Sequence, residues 1–316
     1  MRKRKIISYL LIITMLLVTN ISNQNLFKQN IIAEAADVTN YTISDTISAT
    51  LSTDGILDIK GTGDLPSSTL SNKAEWYSKR STIKQIIIEE GITSVCEAAF
   101  YEYYNLTSVN IASTVKKIGV AAFAESYKLS KVSGMSGVES IGNYAFQNTS
   151  LTSFTFPQST KTIGDYVFYA CAGITTLSIP SGVQEVGAVG YGCANLLSIN
   201  VVAGNTNYSS VNGILYTKDM KTLVEYPAGK EGNSYSVPNG VNVIGDYAFH
   251  SQKYLETVLL PSTVTEIGDY AFYMMPKLSS FTVSENVKSV GDAPFQGDSS
   301  LKKLIFKASI TDTPYS

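Results

Sequence analysis

This chain of 316 residues contains a single histidine, His250. Any nucleophile–imidazole–acid arrangement would have to use it. His250 directly follows the pair Ala248-Phe249, at a place where matching segments carry Tyr101, Ala124, Gln147, Tyr169 and Tyr273. So variable a position reads as an ordinary surface or half-buried residue. One histidine and three dispersed cysteines (Cys96, Cys171 and Cys193) do not make a zinc set. Cys171 and Cys193 occupy equivalent places in neighbouring segments. Stacking could bring them near disulfide range; the other reading is two buried thiols in an apolar ladder. Cys96 reads as a buried filler. Aspartates recur before tyrosine, at Asp165, Asp246 and Asp269. Calcium needs several oxygens converging on one point, which one carboxylate per segment does not supply. Such an aspartate can instead bond the next backbone amides and close a turn. The glycines recur at fixed intervals and do not cluster ahead of a helix, so no phosphate loop is present. No enzyme activity, cofactor or metal is expected.

What positions these residues is a repeat. Phenylalanine falls at Phe100, Phe123, Phe146, Phe168, Phe249, Phe272 and Phe295, with Tyr191 in an eighth place, at steps of 23, 23, 22, 23, 58, 23 and 23. A fixed period in this range marks a solenoid, in which each unit buries its apolar face against its neighbours. Each unit opens on an apolar residue, with a second three places on (Val95, Ile118, Ile141, Ile163, Val186, Ile244, Ile267 and Val290). Glycine then follows, from Gly119 to Gly291, except where Cys96 stands. A recurring glycine implies either a left-handed backbone or a close approach to the adjacent coil. The Ala-Phe pair places a ring in the core, and rings stacked coil on coil form a spine. A leucine or isoleucine five or six residues later opens an alternating run, often closed by proline (Pro157, Pro180, Pro238 and Pro261), which ends a strand. One strand per unit predicts a parallel sheet with coils about 4.7–4.9 Å apart.

The pattern Leu-x-x-φ-x-φ-Pro followed by φxxIGxxAF resembles the bacterial surface-antigen class of leucine-rich repeats, called BspA-like or Treponema-type, over roughly residues 83–310. The resemblance implies a β-rich, right-handed leucine-rich repeat solenoid of about 23 residues per repeat. Its parallel sheet would line the concave side, with little helix. It also implies a secreted or cell-surface location and adhesion to host matrix proteins, without fixing any binding residue.

Alternation along the strands assigns the outward positions, and these are the candidate binding residues of the concave face: Ser108, Asn110, Lys131, Ser133, Ser153, Thr155, Thr176, Ser178, Ser198, Asn200, Thr257, Ser280, Thr282 and Lys303. Few charges or aromatics stand among them, although interface hot spots favour Trp, Tyr and Arg. Competing candidates are the tyrosines of 101–104 and Tyr208, Tyr216, Tyr226 and Tyr235. The expected partner is a protein or glycan, host extracellular matrix included. A structural cell-envelope module without a host ligand is the alternative.

The long step of 58 holds an insertion, 204–235, read as a β-hairpin: two apolar runs, 211–216 and 223–227, flank a polar turn. It reads either as a binding face or as a flap over one side of the stack. Residues 37–82 depart from the repeat and are read as an N-terminal cap, with Trp76 as a capping residue. Repeats are assigned to 83–203 and 236–316. Arg2 to Lys5, the apolar run 6–18 and Ala33-Glu34-Ala35-Ala36 predict a signal peptide over 1–36, and no transmembrane span in the mature chain. Charged residues make up 16% of the chain and the net charge is −2, so no basic face argues for nucleic acid.

Overall fold

A computed structural model describes residues 38–66 and 75–307 of the protein. The signal peptide expected at 1–36 lies outside the described residues. The chain winds as a β-solenoid of about ten turns, about 23 residues each, and the described residues contain no α-helix.

Two ladders of parallel strands run along the stack, where the repeat predicted one. The expected ladder holds Gln85–Ile88, Ser108–Ile111 and Lys131–Gly134. It continues with Thr176–Ile179, Ser198–Val201, Ser234–Ser236, Thr257–Leu259, Ser280–Val283 and Lys303–Phe306. Its inward residues, such as Val109, Ile111, Leu177 and Ile179, are almost fully buried. The second ladder comes from the start of each unit, through Ile92–Val95, Lys117–Ile118, Ser140–Ile141, Thr162–Ile163 and Glu185–Val186, and resumes at Val243–Ile244, Glu266–Ile267 and Ser289–Val290. Two-residue strands leave little pattern in sequence. They exist because backbone amides and carbonyls on that side of the coil also need partners: Lys116 donates to the Thr93 carbonyl and Gly119 to that of Val95.

A third set of inter-coil bonds closes the section. Ala98, Phe100 and Glu102 donate their N–H groups to the carbonyls of Val120, Ala122 and Ala124 in the next coil. The same triplet recurs from Ala121, Phe123 and Glu125 and from Tyr144, Phe146 and Asn148. The outer two members of each triplet are left-handed (Tyr144 φ 58, Asn148 φ 52), which aligns all three amides along the stack. The repeated glycines are not left-handed. They serve close approach: a Cβ on Gly187 would lie 2.2 Å from Asp165 Oδ1, and one on Gly291 would lie 2.3 Å from Asp269 Oδ1. Those aspartates do not close turns in their own coil. Asp165 accepts from Ala188 N–H at 3.0 Å, and Asp269 from Asp292 N–H at 2.7 Å, each one coil further on.

The phenylalanine spine stacks at centroid distances of 5.4, 5.5 and 5.9 Å from Phe100 to Phe168, and of 5.2 and 5.3 Å from Phe249 to Phe295. Tyr191 is not part of it. The ring below Phe249 is Tyr226, stacked at 5.2 Å, and Tyr226 N–H donates to Ala248 as Phe100, Phe123, Phe146, Phe249 and Phe272 do to their next coils.

Tyr226 belongs to the insertion, which contains the expected hairpin (Ile214–Thr217 against Thr222–Glu225) and a further strand, Tyr208–Val211. The turn between Tyr208–Val211 and Ile214–Thr217 is Asn212-Gly213, both with positive φ (53° and 76°), the pairing that two-residue hairpins favour. Thr222–Glu225 then pairs in parallel with Val243–Ile244, so the insertion is a layer within the stack rather than a flap. The apolar core divides there. Leu215 packs into the core of the preceding coils, while its neighbours Ile214 and Tyr216 pack into that of the following ones.

At the other end, Val38–Thr42, Ile47–Ser52 and Ile56–Gly61 form an antiparallel meander whose last strand pairs in parallel with Gln85–Ile88. Trp76 is 2% exposed and packs edge-on against Tyr41.

Candidate binding surface

The outward residues of the longer ladder stand in register. Ser108 lies beside Lys131 and Asn110 beside Ser133; Ser133 Oγ donates to Asn110 Oδ1 at 3.1 Å. Thr176 lies beside Ser198 and Ser178 beside Asn200, whose Nδ2 donates to Ser198 Oγ at 3.4 Å. Ser280 pairs with Lys303 and Thr282 with Ile305, and Thr257 faces Ser234. Ser234 and Ser236 extend the face by one coil. The repeat spacing did not register them, because the insertion displaces them from the period.

These residues form four patches, not one strip, since Thr257–Leu259 and Ser280–Val283 do not pair either. Ser153 and Thr155 are exposed, but 151–156 forms no ladder with its neighbours. The preceding strand ends in Gly134 (φ 81) and Met135 (φ 62), and this left-handed pair turns the chain out of β geometry. Met135 is buried where other coils place an aliphatic residue one position earlier, and Phe154 and Phe156 pack on Phe168 at 4.9 and 5.9 Å. The second break is the insertion. Gly213 lies against Ser198, so closely that a Cβ would be 2.5 Å from Ser198 Cβ; its carbonyl accepts from Ile199 N–H.

Of the competing tyrosines, Tyr216 and Tyr226 are core residues, and burial pushes the Tyr226 phenol up to about 12. Tyr216 and Tyr235 share a hydroxyl–hydroxyl hydrogen bond. Tyr208 is half-buried and its hydroxyl accepts from Val186 N–H. Tyr103 is buried, whereas Tyr101 and Tyr104 are exposed, and Tyr104 stacks on exposed Tyr127 at 5.6 Å.

His250 is fully buried, contrary to its variable sequence position. Its ring stacks on Tyr191 at 4.2 Å, and Nε2 lies 3.9 Å from Oε1 of buried Glu225, whose Oε2 accepts from Gly190 N–H. Three segments far apart in sequence converge here, at the seam between the two cores, which no local pattern could signal. Cys171 and Cys193 are separate buried thiols, donating to the carbonyls of Phe146 and Phe168. Burial pushes both thiols up. The described residues hold no cluster of three or more His, Cys, Asp or Glu able to bind a metal ion.

Coil length, stacked rings and parallel ladders define a leucine-rich repeat solenoid. The chain belongs to the family described as the BspA type leucine rich repeat region, matched in six copies over 68–197 and 228–316. The stretch left unmatched between them holds most of the insertion. A leucine-rich repeat protein from Eubacterium ventriosum, known as a crystal structure, is 38% identical with a TM-score of 0.85, over 89% of this chain and 75% of its own. A leucine rich cell surface protein from Faecalibacterium prausnitzii is 20% identical (TM-score 0.46, 88% and 99% covered). The pneumococcal vaccine antigen PcpA is 18% identical (TM-score 0.47, 88% and 89% covered). No functionally curated protein matches the chain.

Proposed function

We propose that this protein is a non-enzymatic binding protein, secreted or displayed at the bacterial surface, that engages a protein or glycan through the outward face of its longer ladder. The observation that carries this reading is the rigid, in-register array of small polar side chains around Thr176, Ser178, Ser198 and Asn200. Fixed on paired strands, these groups lose little freedom when a ligand binds. Family membership supports the surface location, and no helix among the described residues is long and apolar enough to cross a membrane. Adhesion to host extracellular matrix is the specific form of the proposal.

The test is binding of the purified chain, in parallel, to immobilised matrix proteins and to envelopes of the producing organism. Saturable matrix binding that is lost in Thr176→Lys/Asn200→Lys supports adhesion. Matrix binding that survives these changes removes the ladder face from the proposal. Binding to the envelope alone favours a structural envelope module, a reading supported by the absence of Trp, Tyr and Arg from the outward positions of this face.

A further inference from the structure

A groove of about 520 Å³ lies on the other side of the solenoid, over the second ladder. Three successive coils build it, and the repeated glycines form its floor. Polar side chains line it: Ser140, Asn143, Thr162, Asp165, Glu185 and, from the insertion, Tyr208. Its volume is in the range of ligand sites rather than of packing defects. The Tyr208 hydroxyl accepts from Val186 N–H at 3.0 Å, so the insertion walls off the groove where the second ladder breaks.

The lining is charged in one sense only. Asp165 and Glu185 come from adjacent coils, and no Lys, Arg or His lines the groove. Among the described residues no cation lies within ion-pair distance of either carboxylate. Asp165 spends one oxygen on Ala188 N–H. Asn143, which fills the same place one coil earlier, makes the equivalent bond to Asp165 N–H at 2.9 Å. An amide therefore satisfies the backbone as well as a carboxylate does, and the charge of Asp165 is surplus to the fold. The one aromatic ring in the lining is that of Tyr208.

We infer that this groove binds an extended polypeptide segment bearing lysine or arginine, its cations meeting Asp165 and Glu185 beside the Tyr208 ring. Like-signed charge within low-dielectric walls concentrates the field on a cationic ligand, and tyrosine faces attract ammonium and guanidinium groups. The site is on a different face from the longer ladder, so it stands or falls independently of the function proposed above.

The experiment uses the full chain and a labelled peptide of alternating lysine and glycine, with its glutamate counterpart as control, in fluorescence anisotropy at low and physiological salt. The lysine peptide is expected to bind and the glutamate peptide not. Asp165→Asn/Glu185→Gln is expected to weaken binding about tenfold. Asp246→Asn/Asp292→Asn, which removes the same charge outside the groove, should leave binding unchanged. Failure of the lysine peptide to bind, undiminished binding by the groove variant, or equal loss in both variants would each overturn the assignment. Since Asn143 already fills the equivalent role, loss of fold is not expected in Asp165→Asn, and circular dichroism of each variant checks this.

Discussion

Asp246 and Gly268 meet across one coil: a Cβ on Gly268 would lie 2.3 Å from Asp246 Oδ1, the oxygen that accepts from Asp269 N–H at 2.8 Å. The glycine is there to admit the carboxylate. It would also lie 2.7 Å from Asp246 N, so moving the side chain alone gives no relief. Gly268→Ala should therefore lower stability by about 1–3 kcal/mol, as overpacking does. Gly245→Ala, whose Cβ would lie no nearer than 3.1 Å from the Leu223 carbonyl, should cost clearly less. Urea denaturation of the two variants checks the order, and equal costs would contradict the close-approach account.

The buried pair at the seam gives a second expectation. Glu225→Ala leaves the enclosed His250 imidazole without its polar neighbour and removes the acceptor of Gly190 N–H, and should cost about 1–3 kcal/mol. Replacing both partners by apolar residues, Glu225→Leu/His250→Phe, should cost less than the two single changes together, because no imidazole is then left stranded in the core. A double-mutant cycle measures this; additive losses would mean that the two groups do not interact.

Tyr226 stands in for the missing phenylalanine of the spine, so Tyr226→Ala should cost about 3–5 kcal/mol, as truncation of a buried aromatic does. The loss should fall first on the coils after the insertion, seen by hydrogen exchange as weaker protection of 243–290 than of 92–141. Uniform loss of protection would show that the two cores act as one.

Asp298 gives the pH dependence. Burial raises its carboxyl to about 7, only partly opposed by the bond from Met275 N–H. The unfolded value is near 3.8, so the folded chain holds more protons between about pH 4 and 7, and this group's contribution to stability falls as pH rises through that window. Asp298→Asn keeps an acceptor for Met275 and carries no charge. It should melt higher than the parent at about pH 8, and the gap should close towards about pH 4. Parallel melts that never converge would count against this assignment.

Much of the fold is legible in sequence because the repeat states the same physical requirement many times. Phe123, Ile118 and Leu129 fill the same core positions in coil after coil, and the period carries the architecture. The glycine column left two explanations open, and only the position of the previous coil's aspartate decides between them. The second ladder was missed because a two-residue strand such as Thr162–Ile163 has too little length to alternate. The third strand of the insertion, Tyr208–Val211, was hidden because only its last residue belongs to the apolar run 211–216, although Asn212-Gly213 was the signal of a turn within that run. Tyr191 kept the period yet left the spine, since Gly190 before it makes room for Glu225 and Leu196. The candidate face was readable position by position, but its division into patches depends on Gly134, Met135 and a turn more than a dozen residues away from Ser198.

The strand Ile214–Thr217 sends adjacent side chains into two different cores, and this has a mechanical meaning. Tension applied along the stack would reach each half separately, and the joint between them is a short antiparallel meander with the Glu225–His250 contact and the rings of Tyr191 and Tyr247 beside it. Such a joint yields before either block of coils, so the chain should extend in steps under load, with the meander acting as a breakaway link that spares the repeats on both sides.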